Sequence, residues 1–226
     1  MENLAFFVLT LSVGCFAEKE DLSGKVFVFP VDSNTDYVKI IPDMQNFADL
    51  TVCLKFLTDL TREVSLFSLA TPTHLNAFLL TRRSPSAYRG HVGDREADFF
   101  GLQEKQNEWI SVCQSWNSST KLTQLWVNGK QTMRKGIQTD GAITGAAIIT
   151  LGQEQDSYGG GFDPKQSLVG ELTDVHMWNY VLSCCEIQNY MSHLSFSPGN
   201  IINWHALEYS KHGQVVVQES QLTPCM

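Results

Sequence analysis

The chain has 226 residues, 43% hydrophobic and 18% charged, with a formal net charge of −8. That length supports a sizeable core in one domain, and the acidic balance disfavours nucleic-acid or polyanion binding by bulk electrostatics. No stripe of Lys and Arg interleaved with aromatics marks a single-strand groove either.

Residues 1–17 read as a secretory signal. Leu4 to Phe16 is apolar, Cys15 and Ala17 are small residues at the cleavage positions, and Glu18-Lys19-Glu20-Asp21 follows at once. The apolar run is shorter than a bilayer needs, although Glu2 stands where a positive charge is usual. Cleavage after Ala17 leaves one domain over 18–226 with a net charge of −7, since Glu2 is the only charge removed from −8. No later segment reaches about 18 consecutive apolar residues, so the expectation is a soluble, secreted, extracellular protein. Cys53, Cys113, Cys184, Cys185 and Cys225 remain. In an oxidising compartment cysteines pair, and an odd number leaves a thiol for a partner chain, a small-molecule cap or a free state. No Cys-x-x-Cys occurs, so neither a zinc ribbon nor a thioredoxin-type site is suggested.

Short runs rich in β-branched and aromatic residues follow in order: Val26–Phe29, Thr51–Phe56, Val64–Leu69, Ala77–Leu80, Trp109–Cys113 and Gln124–Val127. They predict strands. Between them, the Arg82-Arg83 pair reads as a solvated loop. Asn117-Ser118-Ser119 is an Asn-x-Ser sequon, which the signal segment makes a candidate for glycosylation at Asn117. Asn128-Gly129 predicts a type I′ hairpin turn, which needs positive φ twice. Ala146–Leu151, Glu171–Trp178, Ile201–Trp204 and Gln214–Val217 continue the strand series. One stretch departs from it: Ser183 with Glu186 three residues on forms a capping box for a short helix through Ile187, Tyr190 and Met191. Turn residues recur roughly every ten residues, and no linker or repeat divides the chain. The expected fold is therefore all-β, a two-sheet antiparallel sandwich of jelly-roll type with one short helix, its tryptophans filling the core.

The segment from Gly152 to Gln166 is the chemically distinctive one. It reads Gly152-Gln153-Glu154-Gln155-Asp156-Ser157-Tyr158, then Gly159-Gly160-Gly161, then Phe162-Asp163-Pro164-Lys165-Gln166. Carboxylates and amides on a loop that glycines allow to fold back are the oxygen donors a hard cation such as calcium takes. Sulfur and imidazole are absent, which argues against zinc or copper in this loop. Glu154 and Asp156, two apart, point the same way in extended geometry. The competing reading is a solvated acidic turn.

Ser111-Val112-Cys113-Gln114-Ser115-Trp116-Asn117-Ser118 resembles the pentraxin signature His-x-Cys-x-Ser/Thr-Trp-x-Ser/Thr, with Ser111 in place of the His. Lys25–Pro30, Leu50–Leu54, Ile149–Ser157, Gln166–Gly170, Phe196–Asn200 and Asn203-Trp204 also resemble short-pentraxin segments, in the same order over nearly the whole of 18–226. The resemblance implies a β-jelly-roll protomer in a flat homopentamer. It implies calcium-dependent recognition on one face and binding of complement and immune receptors on the other.

The resemblance also implies a Cys53–Cys113 disulfide, contributing roughly 4 kcal/mol on the chain-entropy model. It places no partner on Cys184 or Cys185; one of them pairing with Cys225 is the expectation, leaving the other free or linking protomers. For the two calcium ions it implies Glu154 and Asp156 as shared ligands, the Gln155 carbonyl, Asp163 and Gln166, and Asn76 from an earlier loop. Leu75 stands where the family has a carboxylate beside Asn76, and Asp163 replaces a longer Glu. Three carboxylates then face two divalent ions, which predicts a weak first site filled near roughly 10⁻⁴–10⁻³ M calcium; His74 is a poor substitute for the lost carboxylate. For a bound headgroup it implies Glu96 facing a cationic end, Thr81 at a usually apolar position, and His91 at another pocket position. Phosphocholine, phosphoethanolamine or anionic glycans are the expected ligands, in innate immune recognition.

Two other functions are distinguishable. A calcium-independent structural or carrier role is favoured by the carboxylate lost at Leu75. A jelly-roll glycoside hydrolase would place acids at alternate positions of one strand, but Glu154 and Asp156 are followed by Tyr158. No Gly-x-Ser-x-Gly or His-Glu-x-x-His occurs either, so the expectation is no enzyme.

Overall fold

The computed structural model describes residues 18–105 and 107–221. The expected signal segment and Cys225 lie outside them. Two antiparallel sheets face each other. The eight-stranded sheet runs, in spatial order, Lys130–Gln131, Leu122–Val127, Ile110–Asn117, Asp49–Leu57, Gly170–Trp178, Lys25–Phe29 and Val216–Glu219, with Lys135–Gly136 also paired to Leu122–Val127. The seven-stranded sheet runs Ser210–His212, Tyr37–Ile40, Ile148–Leu151, Val64–Ala70, Phe78–Ser84, Ala87–Val92 and Arg95–Phe100.

Side-chain alternation sends one set of residues between the sheets. Phe27, Phe29, Phe56, Phe67, Phe78, Trp116, Ile149 and Met177 belong to that core. A smaller core lies on the outside of the eight-stranded sheet, where Trp126, Trp178, Leu182, Ile187 and Tyr190 surround the Cys53–Cys113 disulfide. The two cysteines are directly opposed across neighbouring strands, and both are fully buried. Trp116, Trp126, Trp178 and Trp204 are buried, as core tryptophans should be, whereas Trp109 is only half-buried.

The helix Cys184–Met191 covers that second core, burying Ile187 and Tyr190. Its capping box is complete: Ser183 Oγ accepts from Glu186 N at 3.2 Å, and Ser183 N donates to Glu186 Oε2 at 2.8 Å. Ser183→Ala is expected to cost about 1 kcal/mol in urea unfolding; a change under a few tenths would show that packing alone holds the helix. Cys184 and Cys185 sit in its first turn, exposed and free among the described residues.

The Asn128-Gly129 turn takes positive φ twice as expected, 49° and 79°, joining Leu122–Val127 to Lys130–Gln131. Other local expectations shift. Ile201–Trp204 is not a strand: Ile202 makes a lone bridge to Met177, and a 3-10 turn begins at Trp204. Arg82 is not in a solvated loop. It is 2% exposed, and its Nε lies 2.7 Å from Glu104 Oε2, itself buried. Arg82 alternates inward with Phe78 and Leu80 and survives there because Glu104 and the Leu60 carbonyl satisfy its guanidinium. The strands Ala87–Val92 and Arg95–Phe100 carry no apolar run to announce them, because their outward residues are Arg89, His91, Glu96 and Asp98.

Candidate metal centre

Those outward residues form rows. Ser68, Leu79, His91 and Glu96 are successive cross-strand partners, and so are Ser65, Thr81, Arg89 and Asp98. The loop after Ile148–Leu151 folds back over this same outer face. Gln155 anchors it: its backbone N–H donates to Ser68 Oγ at 3.3 Å, and its Nε2 donates to the carbonyls of Ser68 and Ile148 at 2.9 and 3.0 Å. None of these bonds uses the Gln155 carbonyl oxygen. Ser157 and Gly160 exchange backbone hydrogen bonds across the tip. Gly161 has a φ of 76°, and a Cβ there would lie 2.8 Å from Ser157 N. Glycine is therefore required for the chain to return.

The return brings back part of the donor set. Gln166 Nε2 donates to Glu154 Oε2 at 2.7 Å. Asp163 caps the 3-10 turn Pro164–Gln166, its Oδ1 accepting from Lys165 N at 2.9 Å. Glu154 is 8% exposed, whereas Asp156 is exposed. Burial, and then the charges of Asp156 and Glu63, push the Glu154 carboxyl up to about 7; Arg89 acts against them. Two carboxylates this close, one of them starved of water, form a pocket of negative potential that a cation relieves. Asn76 lies at the start of Phe78–Ser84, with its N–H bound to Asp94 Oδ1 at 2.8 Å. Its Oδ1 is buried and has no hydrogen-bond partner among the described residues. A buried carboxylate without a countercharge and an orphaned amide oxygen are hard oxygen donors, and they fit calcium.

Leu75 is half-buried beside Asn76. Asp94 is a carboxylate at Asn76 that sequence reasoning missed, because its position follows from the hairpin between Ala87–Val92 and Arg95–Phe100. No described hydrogen bond or ion pair joins Asn76 to Glu154.

The headgroup candidates share the rows described above. Thr81 is buried, and its Oγ1 has no partner among the described residues. His91 Nε2 lies 3.4 Å from Glu96 Oε2; burial lowers the His91 pKa, more than Glu96 raises it. Glu96 does not stand alone. Arg89, also missed from sequence, places Nη1 2.7 Å from Glu96 Oε2, and its Nε and Nη2 grip both Asp98 oxygens at 2.6 and 2.8 Å. Asn117 ends the strand Ile110–Asn117, half-buried, its Oδ1 accepting from Thr120 N and Oγ1 at 2.8 and 2.9 Å.

Among the described residues no helix is long and apolar enough to cross a membrane. The sequence profile of the Pentaxin family matches residues 25–219. The chain is 40% identical to mucosal pentraxin of Mus musculus over 224 residues, covering 96% of this chain and 98% of the relative. It is also 40% identical to C-reactive protein of Sus scrofa over 226 residues, covering 99% and 100%. The native heptameric SAP-like pentraxin of Limulus polyphemus superposes with a TM-score of 0.83 at 22% identity, over 91% of this chain and 99% of the other. On profile, identity and fold alike, the chain belongs to the Pentaxin family.

Proposed function

We propose that this chain is a secreted, non-enzymatic recognition protein that binds phosphorylated or anionic ligands through calcium on the outer face of the seven-stranded sheet. The observation that carries the reading is Glu154: a buried carboxyl next to Asp156, pushed up to about 7, that asks for a countercharge. Glu154 and Asp156 hold the ion, with the Gln155 carbonyl, Asp163 and Gln166 from the same loop and Asn76 from the neighbouring one. Gln166 turns its amide so that oxygen replaces nitrogen toward the ion. Calcium, when bound, supplies the positive charge that a ligand's phosphate or carboxylate oxygens need. Leu75 contributes no charge, so one of two ions is held weakly.

Beyond the ion, the protein's own residues choose the ligand. Arg89 occupies Glu96 and neutralises it, which weakens the attraction for any cationic headgroup end and favours an anionic glycan. Thr81 and His91 offer unpaired polar atoms where an apolar contact would suit methyl groups. Ring assembly, complement and receptor binding on the helix side, and a glycan on Asn117 belong to the same proposal and rest on family membership.

The test is retention of the full chain on phosphoethanolamine, phosphocholine and agarose resins in millimolar calcium. Elution by chelator is expected, with phosphoethanolamine or agarose the stronger resin. Retention that ignores chelator favours the calcium-independent carrier reading, which Leu75 supports. In the same assay Leu75→Asp is expected to lower the calcium concentration needed for retention; no change would remove the Asn76 loop from the site.

A further inference from the structure

We infer that Arg62 is a positioning residue for the calcium centre, clamping the carbonyls on either side of Gln166 so that the returning half of the acidic loop is held over Glu154. The inference rests on the calcium reading above and adds to it a residue outside the ligand set.

The loop from Gly152 to Gln166 has a closed base, where the Leu168 N–H donates to the Gly152 carbonyl at 2.9 Å. Its outgoing half is anchored on Ser68 through Gln155. Its returning half is anchored by Arg62, two residues before the same strand Val64–Ala70. Arg62 Nη1 donates to the Ser167 carbonyl at 2.7 Å, to the Glu63 carbonyl at 2.9 Å and to the Lys165 carbonyl at 3.2 Å. Nη1 carries two hydrogens, so the longest contact shares one of them. Lys165 and Ser167 flank Gln166, whose Nε2 reaches Glu154 Oε2 at 2.7 Å. Gripping both neighbours limits the directions in which the Gln166 side chain can leave the backbone. The Gln166 N–H donates to the Asp163 carbonyl at 3.0 Å, which ties Asp163 into the same unit.

The other arm of the guanidinium is also committed. Nη2 pairs with Asp32, at the start of a turn that receives both ends of the loop. There Gln153 Nε2 donates to the Ser33 and Asp36 carbonyls, and the Ser33 N–H donates to Ser167 Oγ at 3.4 Å. The Asp32 side chain is 61% exposed, and an exposed ion pair contributes little. The grip lies in the carbonyl bonds, which a charged donor makes roughly twice as strong as a neutral one. Lysine is no substitute, since an ammonium lacks the planar fork that spans several acceptors at once.

The charge of Arg62 and its grip act on calcium with opposite signs. As a cation it repels the ion, so removing the charge alone tightens binding. Removing the grip frees Gln166 and Asp163 and weakens binding, as the loss of outer partners does at metal sites generally. The sign of the change separates the two effects.

The test is calcium calorimetry on the full chain, with amide exchange in chelator as a calcium-free readout. Arg62→Met is expected to weaken calcium about tenfold, the loss typical of outer-shell partners, despite the repulsion it removes. Arg62→Lys, which keeps the charge and loses the fork, should weaken it as well. Lys165→Met removes a charge from the same turn without removing a carbonyl's partner, and should not weaken calcium. Exchange at Gln166 and Ser167 should quicken in Arg62→Met, while exchange at Ile187, in the helix on the opposite face, stays as in the parent. Calcium held as tightly or more tightly by Arg62→Met, or unchanged exchange at Gln166 and Ser167, would overturn the assignment. A parent that takes up no calcium removes the recognition reading instead, and the exchange data then judge the clamp alone.

Discussion

Glu154→Gln is expected to make the protein more stable in chelator at mildly alkaline pH, and to remove the stabilisation that calcium gives the unsubstituted chain. The unfolded carboxyl titrates near 4.5 and the folded one at about 7. The folded state therefore holds the proton more tightly. That contribution is fully present below 4.5 and is lost as pH rises through about 7, an amount on the order of 3 kcal/mol. Gln mimics the protonated acid, so the variant avoids the loss. In melting experiments the gap between variant and parent should be several degrees above pH 7 and close near pH 4.5. Calcium reverses the order, because only the parent offers a charged oxygen pair with Asp156. A variant that calcium stabilises as much as the parent would remove Glu154 from the cation site. A variant no more stable in chelator would show that Glu154 is solvated rather than starved of water.

Arg82→Met is expected to be the most damaging single substitution in the hairpin that bears the ligand face, costing about 3–5 kcal/mol. It leaves Glu104 buried with only the Tyr88 hydroxyl as partner, and the Leu60 carbonyl loses its donor. Adding Glu104→Gln should recover part of the loss, because the uncompensated charge rather than the missing attraction carries most of it. Denaturant unfolding of both variants decides: a single variant costing under about 1 kcal/mol, or a double variant no better than the single, would show that water reaches Glu104. The pair matters to function through Thr81 and Arg89. Thr81 precedes Arg82 on one strand, Arg89 follows Tyr88 on the next, and both point out to the proposed ligand.

Legibility from sequence followed apolar content. Strands such as Asp49–Leu57 and Gly170–Trp178 announce themselves because burial demands hydrophobic side chains, and the capping box around Ser183 is a local device with a local signature. The acidic loop was readable too, since Glu154, Asp156, Asp163 and Gln166 lie within one turn of chain. The hairpin Ala87–Phe100 was not: its outward positions are polar for the sake of the exposed face, which erases the strand pattern. With it went Arg89, whose hold on Glu96 changes what that carboxylate offers a ligand.

The sequence alone determined the sandwich, its helix and the oxygen-rich loop, because each depends on neighbours in the chain or on the period of burial; the Cys53–Cys113 pair was implied by the family resemblance, and it forms across two neighbouring strands. Only the tertiary structure decided which charges are free. Arg82 finds Glu104 across 22 residues, Lys55 finds Asp174 across the sheet, and His176 meets His205 through a separate turn. Burial and long-range pairing set the energy of a charge, and neither is written in the residues beside it.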